Sequence, residues 1–295
     1  MNGVRSALFF KYIVGCLASK LYEYIDRYCN TLRFLDWDFF NSFCYAYQCV
    51  SPEDIYTETD IVKGRSAIFS ANEKRVWFYS HPHVSCKQKE IFIVKGDLVY
   101  VFSLYNGFYY VEYVSQKGKS VYGWINKEGL VPYNLHSINA GGKISIADFS
   151  IYVNEHWISI NTISELLSNI TGKHETFFVG SYPNAVGGLY KYYSHIYPFG
   201  EIISSNVSYD KRMQNIDNSY RLTSILISEH GYVTARGIGV GDTVIDVKEK
   251  YKSKNLLDDG SRLTYRLGNY FISYDIKDGL VSSINIGQEF PDEKS

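Results

Sequence analysis

The sequence has little of what would name a chemistry. The 30 Lys and Arg are balanced by 31 Asp and Glu, for a formal net charge of -1. That argues against a general nucleic-acid binder, which needs a basic surplus to displace counterions from phosphates. No two cysteines have the C-x-x-C spacing of a zinc or redox site. No G-x-S-x-G elbow surrounds a serine, and the seven histidines include no H-E-x-x-H pair. We therefore expect no catalytic residue, no metal and no cofactor, although a dyad of carboxylates distant in sequence stays open. The longest apolar run is short of the ~20 residues that a membrane-spanning helix needs. Methionine is scarce, at 2 residues, and the core must be filled by other side chains.

What is present in quantity is aromatic: 28 Tyr and 17 Phe. Tyrosine suits half-buried strands, where the ring packs and the hydroxyl stays wet. It also suits recognition surfaces, because it supplies rigid contact area at low entropic cost. A chain of 295 residues has room for about two domains. Cys16, Cys29, Cys44 and Cys49 crowd the first fifty residues, and Cys86 is the last. Cys44 and Cys49 are close enough to pair in an oxidising compartment, and buried free thiols are the alternative; the disulfide status of Cys29, Cys44 and Cys49 is not decided by spacing. Residues 1–50 have two readings. Arg5 followed by a short apolar run has the ingredients of a secretion signal, and Ile13-Val14-Gly15-Cys16 resembles a bacterial lipoprotein box. Leu21, Tyr24, Ile25 and Tyr28 instead recur at helical spacing and predict an amphipathic helix. The first reading implies a periplasmic or envelope-anchored protein whose membrane contact is that anchor; the second allows a cytoplasmic one. Residues 51–74 read as a connecting region.

From Arg75 the period becomes that of short strands: Val76 to Tyr79, Glu90 to Val94, Leu98 to Leu104, Phe108 to Val114 and Val121 to Ile125. Asn106-Gly107 is a strong two-residue hairpin signal. His81 and His83 flank Pro82 with no third ligand nearby, and a turn explains them. The opening Phe78-Tyr79-Ser80, the Val94-Lys95-Gly96-Asp97 turn, the Asn106-Gly107-Phe108-Tyr109 hairpin and the closing Gly123-Trp124-Ile125 resemble bacterial SH3-like domains over 75–133. The resemblance implies a small β-barrel that binds wall peptides or protein segments, with Gly123 and Trp124 shaping its last strand and core. Tyr105, Phe108 and Tyr109, with Trp124, are the candidate groove.

Farther on, two stretches share a pattern in which apolar alternation stops at a polar turn and an amphipathic helix follows. Thr162 with Glu165 fits a capping box, and Thr243 with Asp246 nearly does. The glycines at 237, 239 and 241 lack the spacing of a phosphate loop. Glu155-His156 and Glu229-His230 precede the two units at related places, which repeat structure explains. The segment Gly237 to Asp242 with Val247 and Tyr251 is similar to envelope lipoproteins. The tandem over 143–288 resembles the helix-and-sheet units of the β-lactamase inhibitor protein and outer-membrane assembly lipoproteins. The expected fold class is thus α+β and β-rich: a helical amino-terminal segment, an SH3-like barrel and a tandem of helix-and-antiparallel-sheet units.

These resemblances imply a non-catalytic binding protein of the bacterial envelope, an inhibitor or immunity protein that occludes a toxin or wall hydrolase. The expected partner-binding patch is Tyr190, Tyr192, Tyr193, His195 and Tyr197, an aromatic run with a single Lys. The alternative is a peptidoglycan-binding protein acting through the SH3-like groove.

Overall fold

The computed structural model describes residues 49, 60–61, 68–138, 141–167, 174–183, 188–207, 219–252 and 256–289. The chain forms two compact units, Met1–Ser51 and Pro52–Ser295; apart from Cys49, the described residues belong to the second. The expected helical or signal-like segment over 1–50 otherwise lies outside them. Cys49 and Cys86 are both disulfide-bonded, and the strand-rich unit has no cysteine beyond Cys86.

Runs of β-branched and aromatic residues set the strands. The first eight are β1 (Asp60–Ile61), β2 (Ile68–Ala71), β3 (Val76–Tyr79), β4 (Lys87–Ile93), β5 (Leu98–Tyr105), β6 (Phe108–Val114), β7 (Ser120–Asn126) and β8 (Leu130–Pro132). They form one antiparallel sheet ordered β4-β3-β7-β6-β5-β2-β8, with β1 added on β5. Asn106 and Gly107 both take positive φ, 47° and 77°, and link Tyr105 to Phe108 in the tight turn that their side chains permit. His83 caps the short turn after it, its Nδ1 accepting from the Ser85 backbone N–H.

The following elements are β9 (Ser150–Val153), β10 (His156–Ser159), β11 (Glu175–Pro183), β12 (Leu189–Tyr197), β13 (Gly200–Ser205), β14 (Arg221–Ile227), β15 (Val233–Thr234), α1 (Val244–Tyr251), β16 (Leu256–Asp258), β17 (Arg262–Leu267), β18 (Tyr270–Lys277) and β19 (Leu280–Gln288). Strands β10-β9-β15 make a small sheet. The rest form an eight-stranded antiparallel sheet, β11-β12-β13-β14-β19-β18-β17-β16.

The expected α+β tandem of helix-and-sheet units is not what the chain forms. Strands assigned to two units run in one sheet, joined where β14 pairs with β19 through Ile225 and Ile286. Among the described residues the one α-helix longer than a single residue is α1, of eight residues. At Thr162 the expected helix start takes a different local form. Its buried hydroxyl accepts from the Ser159 backbone N–H at 3.3 Å, and a 3-10 turn over Ser164–Leu166 starts at Ile163 with no side-chain cap. Leu167 then takes α-helical backbone angles, and the remainder of that expected helix, 168–170, lies outside the described residues. The weaker sequence match is the box that forms: Thr243 Oγ1 accepts from the Asp246 N–H at 3.2 Å, and the Asp246 carboxylate accepts from the Thr243 N–H at 3.1 Å. Glu155 and His156 sit at a hairpin corner, with Asn154 and Glu155 at positive φ between β9 and β10. The His230 ring lies against Gly241, where an added Cβ would come within 2.7 Å.

Two hydrophobic cores hold the unit. The smaller lies on one face of the first sheet, around Phe78, Val99, Val111 and Ile125. The larger takes Tyr100, Phe108, Tyr110 and Trp124 from that sheet's other face and joins them to Phe149, Ile225, Ile272, Tyr274 and Ile286. Polar groups cross the same contact. Tyr270 Oη donates to buried Glu112 Oε2 at 2.6 Å and accepts from Asn161 Nδ2 at 2.9 Å. Arg221 donates to the carbonyls of Phe102 at 2.8 Å and Asn161 at 2.9 Å. Satisfied charges of this kind fix one arrangement of the parts, because every alternative strands a buried donor.

Candidate functional site

Strand β12 carries the expected patch, and the pleat divides it. Successive side chains point to opposite faces, so Tyr190 and Tyr192 share one face while Tyr193, His195 and Tyr197 share the other. His195 and Tyr197 are buried, at 8% and 4% exposure. His195 Nε2 is 2.8 Å from Ser204 Oγ, and Nδ1 is 3.1 Å from Thr176 Oγ1. Burial, reinforced by the neighbouring His174, holds its pKa below the usual imidazole value and keeps it neutral. Tyr197 stacks on Phe199 with ring centroids 5.1 Å apart. Those two side chains hold the base of the hairpin. A serine beside a histidine invites a hydrolase reading, but Ser204 is 1% exposed. A hydroxyl also stands where a carboxylate would stabilise an imidazolium.

Tyr190, Tyr192 and Tyr193 remain partly open, and the structure adds to them a set that the sequence reading missed. Strand β11 exposes both faces: Phe177 is 52%, Phe178 58%, Val179 59% and Tyr182 62% exposed, with Leu189 at 49% on β12. Phe178 packs on Tyr193 at 5.5 Å on one face, and Tyr182 on Tyr192 at 5.6 Å on the other. Burial, with Tyr190 and Tyr182 adding to it, raises the Tyr192 pKa despite the bond from Ser205 that opposes the shift. The signal for this surface was in the sequence: between Glu175 and Lys191 there is no Asp, Glu, Lys or Arg, although the run is apolar and bounded by strands. A hairpin of uncharged aromatic residues standing clear of its own core can bury large area against another molecule.

The four groove residues do not come together. Phe108 and Trp124 are 4% and 1% exposed in the larger core, where Trp124 meets Tyr110 at 5.1 Å and Tyr105 at 6.5 Å. Tyr109 packs on Phe69 in the smaller core on the opposite face. The body covers the side that the SH3-like resemblance would leave open.

A cleft of about 250 Å³ lies between the first sheet and the body, lined by Asp97, Tyr113, Gln116, Tyr133, Asp148 and Arg236. Asp148 and Arg236 are buried in its wall. Arg236 Nε pairs with Asp148 Oδ1 at 2.5 Å, and the guanidinium also donates to the carbonyls of Gly142, Lys143 and Lys250. Burial opposes its charge, but the Asp148 bond and charge outweigh that and raise its pKa. Arg236 thus ties the glycine-rich segment to the body. Among the described residues no three His, Cys, Asp or Glu side chains are grouped to hold a metal, and no helix is long and apolar enough to cross a membrane.

No family model matches the chain, and neither does any curated protein. Among solved structures, the C-terminal domain of TagH is similar at 9% identity over 78% of this chain and 99% of that one, with a TM-score of 0.22. That superposition is too loose to carry an argument about fold or function.

Proposed function

We propose that this chain is a non-catalytic protein-binding protein, an inhibitor or immunity protein of the bacterial envelope that occludes a toxin or wall hydrolase, and that the β11–β12 hairpin makes the contact. One observation carries the reading: β11 exposes Phe177, Phe178, Val179 and Tyr182, each more than half open, on both faces of a strand outside the core. Such side chains anchor interfaces because they bury much apolar area while fixing few torsions. The disulfide bonding of Cys49 and Cys86 suits an oxidising compartment such as the envelope. The alternative, peptidoglycan binding in the SH3-like groove, loses support from the burial of Phe108 and Trp124.

The test is affinity capture by the full chain from lysate and culture supernatant of its native host, beside the Phe178→Ser/Tyr182→Ser variant. Both positions are exposed, so the variant keeps its fold. A stoichiometric toxin or hydrolase held by the wild type and lost by the variant supports the proposal. Equal capture by both, or recovery of wall fragments in place of protein, contradicts it.

A further inference from the structure

The four ends of the two large sheets are treated differently. β4 is an edge that carries Lys87, Lys89 and Glu90. β8 has three residues and stops at Pro132. β16 also has three, and its Asp258 is paired with Lys248 at 2.8 Å. The small sheet's edges, β10 and β15, have four and two residues. Short length, charge and proline are the devices by which proteins stop their sheet edges from pairing with other chains. The remaining edge, β11, has nine residues and no charge after Glu175. A bulge at Val179 and the closing Pro183 are its only blunting features. Among the described residues no strand lies on its outer side.

We propose that β11 is the seam of a symmetric dimer, in which two copies of the chain pair antiparallel along this edge and join their eight-stranded sheets into one. A second copy fits as occupant for two reasons. Antiparallel self-pairing of Thr176 to Pro183 sets no like charges opposite one another, which the lysines of β4 would do. Among the described residues each copy has one long unblunted edge, so pairing along it closes at two around a twofold axis and does not propagate into a filament. The seam uses main-chain N–H and C=O groups and leaves the side chains on both faces. Phe178 with Tyr193, and Tyr182 with Tyr192, then recur across the seam and double the aromatic surface. The dimer does not depend on the protein-binding proposal and can fail alone.

Sedimentation equilibrium on the full chain tests it. Wild type has twice the 33.9 kDa chain mass, and Phe177→Lys/Val179→Lys has the mass of one chain. Leu257→Lys, on the opposite edge of the same sheet, stays dimeric. Phe177 and Val179 are 52% and 59% exposed, so both lysines reach water without disturbing the core. Hydrogen exchange locates the seam: amides of 176–182 exchange more slowly as wild-type concentration rises, and independently of concentration in the double-lysine variant. A monomeric wild type, a double-lysine variant that remains dimeric, species larger than two chains, or exchange in β11 independent of concentration overturns the proposal. If the double-lysine variant is monomeric yet still captures the partner, the dimer and the protein-binding surface separate cleanly.

Discussion

At the scale of single residues, long-range partners were the part hidden from the sequence. Arg236 was visible only as the start of a glycine-rich segment, because Asp148 is far away in the chain, and only the fold shows that the two meet. A buried pair of this kind is costly to break from one side, since the surviving charge stays desolvated. Asp148→Asn is expected to lower unfolding stability by ~3–5 kcal/mol, measured by urea denaturation; a loss below ~1 kcal/mol would mean that the pair behaves as an exposed one. The tyrosines predict an alkaline limit. Burial, with Asp258 adding and Arg236 opposing, raises Tyr265 from 10.0 to about 12. Burial also raises Tyr100, Tyr270 and Tyr274. Between pH 10 and about 12 the unfolded chain releases protons that the folded chain keeps. Their stabilising contribution is therefore whole below pH 10 and is lost as pH rises through the folded value. Ultraviolet titration should show exposed tyrosines ionising first and a second group ionising only with loss of fold. A single unperturbed titration of all tyrosines would exclude this.

At the scale of elements, strands were legible and their faces less so. Val76–Tyr79 and Phe108–Val114 lie where runs of aromatic and β-branched residues bounded by turn signals put them. Tyr192 and Tyr193 are adjacent and so point apart, which makes one patch of the whole tyrosine run impossible. The exposed surface of β11 does not follow from tyrosine count; its physical signal is missing charge. Capping was legible at one of two sites. Thr243→Ala should cost about 1 kcal/mol and raise amide exchange within α1. Thr162→Ala should act through the Ser159 N–H that its hydroxyl satisfies. At the hairpin base, His195 has a lowered pKa. Above its ordinary value of 6.5 both states are neutral and its contribution is whole. Below that, the unfolded imidazole binds a proton that the folded one resists, so stability falls with falling pH. Exchange at β12 should quicken in mild acid, and His195→Gln should flatten that dependence; equal pH profiles for the two proteins would rule it out.

At the scale of the whole molecule, Phe108 and Trp124, both named in the SH3-like resemblance, take part in a core that extends into the body. Short-range signals cannot reveal that β14 pairs with β19, or that the outer face of the first sheet is covered, since both rest on contacts between distant residues. Trp124→Ala should cost ~3–5 kcal/mol and keep a single unfolding transition by fluorescence and circular dichroism alike; two separated transitions would mean independent domains. The hairpin's role is open to one decisive measurement, site-specific photo-crosslinking in the native host from a benzophenone amino acid at position 178, with position 257 as control. Leu257 is as exposed as Phe178, at 60% against 58%, but lies on the opposite edge of the sheet. A single partner protein cross-linked from 178 and absent from 257 is the expected result. Adducts of equal yield from both positions, or none from 178, would contradict the assignment of β11–β12 as the binding surface.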